Sequence, residues 1–407
     1  GYFKVGRYDA HCEDMAPLLF DADADGDMDW FAVSGGVEAG QATHLLEDRL
    51  YVQQKPDQFV KTTKALPNRP VSGGGAAAAD IDRDGDLDLV VTGRVIPGQY
   101  PLSPGSAILR NDSKVANEPV FKDATDTMAP GLKTLEMATS ALWSDVNNDG
   151  WVDLLVTTEW GPVRVFLNRS GVLEDATESA GLADYQGWWN GIAGRDFDND
   201  GDIDYVATNF GHNTKYHPNN EQPSRIYYGT FGETATPQII EAKVYGQTVL
   251  PVRGKSCSQN AMPFVRDKFP TYHAFASATL TEIYSDQALD TAKRFEANTL
   301  STSLLINDGQ GKFTVKPLPE LAQIAPGFGV VATEVNGDGN ADLYLVQNFF
   351  TPQRETGKMA GGLSVLLLGD GKGNFKPLWP NESGLVVPGD AKGLATMDFN
   401  IDGWVDF

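Results

Sequence analysis

Short apolar runs and clusters of aspartate alternate along this chain. WFAVSGG after Asp29, LDLVV from Leu87 and LLVTT after Asp153 are rich in β-branched residues and predict buried strands. An acidic stretch containing glycine precedes each run, and small apolar residues precede that stretch, as in GGGAAAAD ending at Asp80. Between these units recur segments of alternating polarity around a turn, with an aromatic just past it: RLYVQQKPDQFVK, AILRNDSKVANEPVFKD, VRVFLNRSGVLED, SLLINDGQGKFTV and SVLLLGDGKGNFKP. Asn307-Asp308-Gly309 and Gly369-Asp370-Gly371 supply the positive φ that a tight hairpin needs. Strand, acidic loop, strand and hairpin make four strands to a period. Periods of several tens of residues with four strands each predict an all-β fold, a β-propeller of four-stranded blades.

The acidic stretches share one grammar, with oxygen ligands at positions 1, 3, 5 and 9, glycine at position 6 and a backbone carbonyl at position 7. Alternating carboxylates can wrap a hard cation that needs six to eight oxygens, and the glycine permits the sharp turn. The copies are Asp21, Asp23, Asp25, Asp27 and Asp29; Asp80, Asp82, Asp84, Asp86 and Asp88; and Asp145, Asn147, Asp149, Trp151 and Asp153. They continue with Asp196, Asp198, Asp200, Asp202 and Asp204; Glu334, Asn336, Asp338, Asn340 and Asp342; and Asp398, Asn400, Asp402, Trp404 and Asp406. Position 12 in the five complete copies is Ala32, Val91, Val156, Ala207 or Leu345, so none has the bidentate glutamate of an EF-hand. Six copies in register predict about five to six Ca2+ sites. The copy at Glu334, with a longer first side chain and less charge, is expected to be the weakest.

First ligands at 21, 80, 145 and 196 stand 59, 65 and 51 residues apart, and 334 to 398 is 64. The 138 residues from 196 to 334 equal two periods of 69, which predicts a repeat that has lost its metal loop and seven blades, with six as the alternative. The intervening SRIYYGTFGETATPQIIEAKVYGQTVLPV is strand-rich without the aspartates, and roughly 258–298 looks helical, with Ser285 a candidate N-cap for DQALDTAKRFEA. The expected organisation is blades one to four and the start of a fifth over 1–250, a mainly helical insertion over 251–298, and the remaining blades over 299–407, the last incomplete.

A formal charge of -23 over 407 residues argues against a nucleic-acid partner, whose phosphates want a basic stripe. Much of the acidity sits in the loops. No run approaches the ~18 to 20 apolar residues of a membrane span. Cys12 and Cys257 could pair once or be two thiols. Catalytic signatures are absent: no GxSxG elbow, P-loop or Rossmann fingerprint occurs, so no catalytic or organic-cofactor residue is assigned. His212 and His217 stand five apart in GHNTKYH, one off the spacing of a helical metal pair. Trp188 and Trp189 suit either a sugar-stacking platform or, preferentially, core packing.

The DxDxDGxxD loops between strands, with the LLLNDGxGxF hairpins, resemble the FG-GAP or VCBS repeat family, whose calcium-loop propeller also forms the head of integrin α subunits. GWWNGIAGRDFDNDGDIDYVATNFG, LPVRGKSCSQNAMPFVRDKFPTYHAFASATL and LSVLLLGDGKGNF are similar to large secreted bacterial VCBS proteins of the ASPIC/UnbV-like kind. Relatives often keep an acidic loop where this chain has GTFGETATP from Gly229 to Pro237, so no calcium is expected there. The resemblance implies a secreted, periplasmic or cell-surface binding, adhesion or assembly module with a protein or glycan partner on one propeller face. An extracellular carbohydrate-active enzyme using the central channel is the alternative, and a pair of carboxylates outside every metal loop would favour it. Because Phe407 falls inside an expected strand, the native chain is expected to continue, or else GYFKVGRYDA supplies a closing strand.

Overall fold

The computed structural model describes residues 9, 11–40, 42–56, 58–115, 117–354 and 356–407, so the proposed closing strand falls almost wholly outside the described residues. Within them the chain is all-β apart from short helices. The first antiparallel sheet is β1 (Glu13–Phe20), β2 (Asp29–Gly35), β3 (Arg49–Lys55) and β4 (Gln58–Lys61). The second is β5 (Ser72–Ala79), β6 (Asp88–Val95), β7 (Ala107–Asn111) and β8 (Phe121–Asp123). The third is β9 (Met137–Ser144), β10 (Asp153–Gly161), β11 (Arg164–Asn168) and β12 (Leu173–Asp175), with β13 (Gly187–Trp188) added beside β10.

The fourth sheet is split along the chain. It opens with β14 (Ile192–Arg195) and β15 (Asp204–Ala207), and the chain then departs to build β16 (Ser224–Gly229), β17 (Gln238–Tyr245), β18 (Thr248–Pro251), five short helices between Lys255 and Thr291, and β19 (Lys293–Ala297). It returns as β20 (Ser303–Asn307) and β21 (Phe313–Pro317), and β20 pairs with β15. The fifth sheet follows as β22 (Gly327–Thr333), β23 (Asp342–Gln347), β24 (Val365–Gly369) and β25 (Phe375–Leu378).

The apolar runs are explained by sheets stacked face to face. Leu89 and Val91 of β6 pack with Phe31 and Leu50 of the first sheet, whereas Val90 packs with Leu154 and Phe166 of the third. A strand buried on both faces reads as a continuous hydrophobic run. The same sandwich recurs between sheets three and four around Leu155, Tyr205 and Leu305, and between sheets four and five around Val206, Leu304 and Leu343. First strands of successive sheets lie side by side, which gives the propeller-like arrangement its inner wall.

Here the structure departs from what the spacing predicts. The 138 residues between the fourth and fifth loops do not hold a full repeat in the ring, because sheets four and five share a core directly. The extra length is an insertion between the second and third strands of sheet four. It carries its own sheet, ordered β18-β17-β16-β19, and its own core, in which Phe231, Ile240, Val265, Phe275 and Ile283 are buried. So the start of a fifth blade expected before residue 250 and the helical insertion expected over 251–298 lie together in one mixed module. Helices are present where expected, and the Ser285 hydroxyl caps Ala288 N–H. KRFEA, predicted to continue that helix, is instead β19, held by pairing with β16. Cys12 and Cys257 are not joined by a disulfide. Trp189 is a core residue, 1% exposed, as expected.

Candidate metal centres

Each acidic loop is set by one register. The residue before position 1 pairs with the residue at position 9: Phe20 with Asp29, Ala79 with Asp88, Ser144 with Asp153, Arg195 with Asp204, Thr333 with Asp342 and Met397 with Asp406. The last pair is an isolated bridge, so the sixth loop has the same frame without a full sheet behind it. Position 6 needs positive φ, 99° at Gly85, and the fourth residue is also left-handed, at 63° for Arg83 and 58° for Asn148.

Inside the loops the first aspartate accepts backbone N–H groups from the far side of the turn. Asp80 takes Asp84 N–H at 3.1 Å and Gly85 N–H at 3.2 Å, and Asp145 takes Asp149 and Gly150 N–H at 3.1 and 2.7 Å. Glu334 differs as its longer side chain would dictate, accepting from Asn336 and Gly337 at 2.8 and 2.5 Å, nearer its own end. Position 9 is a strut as well as a candidate ligand. Asp88 accepts Ile81 N–H and Asn111 N–H, and Asp153 accepts Val146 and Asn168 N–H in the same way. One amide per oxygen leaves lone pairs for a cation.

The loops then divide by charge. Carboxylate oxygens of Asp21, Asp23 and Asp29, of Asp80, Asp82 and Asp84, and of Asp196, Asp198 and Asp204 lie within 4.8 Å of one another. In the first two loops the Oδ1 atoms of Asp23, Asp27, Asp82 and Asp86 are buried with no hydrogen-bond partner among the described residues. Burial, then the neighbouring aspartates, pushes Asp82 up, and burial with Asp84 raises Asp86 to about 6. Asp23 still accepts the Asn117 N–H and Asp27 bonds the Gln53 side chain, so it is single oxygens that stand without donors, and the donor set of hard oxygens fits Ca2+.

The loops with asparagine at position 3 compensate themselves. Asn147, Asn336 and Asn400 each donate to the position-5 aspartate at 3.0 Å, and Arg169 adds an ion pair to Asp149. Asp338 is held below the usual carboxylate range by the Asn340 N–H and the Asn336 amide.

Two sets of contacts between repeats were not legible in the sequence. Position 4 of one loop reaches position 6 or 7 of the next: Arg83 to the Gly150 carbonyl and over the Trp151 ring, Asn148 to Asp202 at 2.6 Å, Asn199 to Asn340 at 3.2 Å. Position 7 thus latches the ring through its side chain. Asparagines closing the third strands stitch backwards, Asn111 to Ala22 O, Asn168 to Ile81 O and Asn307 to Val146 O at 2.9–3.0 Å. Their recurrence as RN, LN and IN at the ends of three hairpins was the available signal. Among the histidines, His212 hydrogen-bonds Ser301 at 2.8 Å, and no described cluster that could hold a metal contains a histidine.

A family profile described as FG-GAP-like repeat matches residues 21–91 and 145–207, which contain the first, second, third and fourth loops. Those two stretches carry FG-GAP-like repeats. Among solved structures, the V. cholerae biofilm matrix protein Bap1 is similar at 12% identity and a TM-score of 0.32, over 89% of this chain and 69% of that one. BBS1N in complex with ARL6DN is similar at 8% identity and a TM-score of 0.29, over 93% and 94%. No curated protein matches. The FG-GAP-like register extends past the matched stretches, because the Glu334 and Asp398 loops have the same pairing frame.

The opposite ends of the second strands carry different chemistry. Arg94 and Glu159, near the ends of β6 and β10, border a cavity of about 810 Å3 between the ring and the inserted module. Glu159 is bound by Arg94 and Tyr100, and Glu241 by Arg253 at 2.5 Å and Tyr216 at 3.1 Å.

Proposed function

We propose that this chain is a calcium-ordered FG-GAP-like binding module that works outside the cytoplasm, presenting one propeller face to a protein or glycan partner. The four partnerless carboxylate oxygens in the first two loops carry the metal part. Burying charged oxygens without donors is costly, and a divalent ion is what this donor set would take. Asp21, Asp23 and Asp29, Asp80, Asp82 and Asp84, and Asp196, Asp198 and Asp204 would hold it; the asparagine loops would hold it more weakly. Binding is favoured over catalysis because the two carboxylates facing the large cavity, Glu159 and Glu241, are each held by an arginine and a tyrosine, so its described wall offers no unengaged carboxylate pair.

The test is thermal unfolding with metal removed and restored. Chelator should lower the Tm, and calcium should restore it far better than magnesium, which keeps its water and prefers strict octahedral geometry. At free calcium a hundred times the Kd, one site adds ~2.7 kcal/mol. Asp82→Asn should shrink the calcium increment, whereas Glu334→Gln should leave most of it. An unchanged melting curve for metal-free protein would overturn the proposal.

A further inference from the structure

The cavity between the ring and the inserted module has the features of a ligand site. Its volume, about 810 Å3, lies within the ~300–1,000 Å3 usual for small-molecule pockets. It is placed at the ends of the sheets away from the acidic loops, since Asp88 and Asp153 begin the strands whose far ends carry Arg94 and Glu159. Both bodies contribute wall. Trp160, Trp188 and Phe210 come from the ring, and Ile226, Glu241 and Arg253 from the insertion.

The aromatic part is organised around Trp188. Trp160, Phe210 and Tyr216 meet its ring edge-on, with centroids 5.0, 4.8 and 5.0 Å away. Such a wall offers apolar ring surface to an occupant. The charged part is already balanced. Three arginines and two glutamates line the cavity, Arg94 pairs with Glu159, Arg253 with Glu241, and Arg225 with Glu296 at 2.8 Å. Arg94 and Tyr100 lie on one carboxylate, and burial with that carboxylate pushes the Tyr100 hydroxyl well up, so it stays protonated.

Arg225 Nε is buried and has its Glu296 ion pair but no hydrogen bond, and beside it two further donors remain. Trp188 Nε1, on a residue only 8% exposed, and Arg94 Nη1 are buried and have no hydrogen-bond partner among the described residues. A buried donor without an acceptor costs about 1–3 kcal/mol. A purely apolar ligand would leave both unsatisfied. A cation would bring more donors to a wall that needs acceptors. An anion would meet arginines already neutralised, inside a chain of formal charge -23. A neutral molecule with oxygen acceptors and apolar ring faces satisfies all of these conditions.

We propose that this cavity binds a neutral oligosaccharide of a few sugar units, with Trp188 and Arg94 donating to its hydroxyl or ring oxygens and the aromatic wall covering its sugar faces. The proposal deepens the binding-module reading and rests on it. The test uses the full calcium-loaded chain, titrated by calorimetry and tryptophan fluorescence with neutral tetrasaccharides of glucose, galactose, mannose and xylose, and with an oligogalacturonate as the acidic probe. At least one neutral tetrasaccharide should bind and change the tryptophan emission. Trp188→Phe keeps a ring and removes the N–H, and should weaken binding roughly 3- to 10-fold, the equivalent of one lost neutral hydrogen bond. Trp188→Phe protein that still melts in a calcium-dependent way is folded, so its binding can be compared directly. Failure of every neutral probe on the parent chain, shown to melt in a calcium-dependent way, would overturn the cavity assignment and leave the binding module standing. Binding of the acidic probe alone, or binding indifferent to Trp188→Phe, would also overturn it. Loss of the calcium-dependent melting itself would instead strike the underlying function.

Discussion

Asp88 is fully buried, and each of its carboxylate oxygens accepts a backbone N–H, from the loop and from the third strand. Those bonds favour the charged form, yet burial outweighs them and raises its carboxyl to about 7; Asp29, Asp153 and Asp204 rise to about 6 for the same reason. A carboxyl whose folded pKa exceeds its unfolded value, ~3.9, contributes stability below that value and loses it as pH rises through the folded pKa. Metal-free protein should therefore lose Tm between about pH 4 and 7. Calcium favours the ionised form, so the gap between loaded and metal-free curves should widen over that range. Asp112, lowered to about 2 by Arg110 and Lys122, works in the opposite direction, but it belongs to an ion-paired group at the surface and weighs less. Melting curves with and without chelator at several pH values decide it, and a metal-free Tm that climbs from pH 4 to 7 would contradict the assignment. The loop residues themselves were legible, since six copies of one spacing are hard to mistake. Asn111, Asn168 and Asn307 were not, because each acts on a carbonyl of the preceding repeat and no spacing within its own repeat reveals the partner.

At the level of strands, the small residues ahead of each acidic loop have a steric cause. First strands of adjacent sheets come close along the inner wall, and a Cβ on Gly74 would lie 2.5 Å from the Ala138 carbonyl oxygen, while one on Gly191 would lie 2.3 Å from Phe328 O. Neither backbone can yield without shifting its sheet. Gly74→Ala should thus destabilise the protein by about 1–3 kcal/mol with the calcium increment largely retained, measured by denaturant unfolding at fixed calcium. A Gly74→Ala variant as stable as the parent would mean that the inner wall is looser than the distances imply. The strands were legible in the apolar runs, and the hairpins in their turns. What misled the spacing was its silence about pairing: a lost repeat and an insertion inside a repeat lengthen the chain equally. Pairing hairpins with loops would have separated them, since the loop at Asp196 has no hairpin of its own until SLLINDGQGKFTV, and β20 there indeed lies beside β15.

Across the whole molecule, the metal-loop side depends on its neighbours through Arg83, Asn148 and Asn199, and the cavity side depends on a body that interrupts the ring. That body enters and leaves at almost one point. Ala207 faces Ser303 in register, and Gly211 N–H still bonds Leu300 O at 2.7 Å before the two chains part. In genetic terms the module is a cassette whose ends already meet as the two legs of a hairpin. Excising 212–299 and closing Gly211 to Leu300 with a short turn should leave an uninterrupted five-sheet frame that keeps its calcium-dependent melting and loses oligosaccharide binding. Trp160 and Trp188 would be uncovered by the cut, so polar replacements there belong in the same clone. A trimmed chain that cannot fold at any calcium concentration would show that the cassette and the ring mature as one cooperative unit. A trimmed chain that folds would make the junction an open port, at which other ligand-reading bodies could be seated on the same metal-ordered ring.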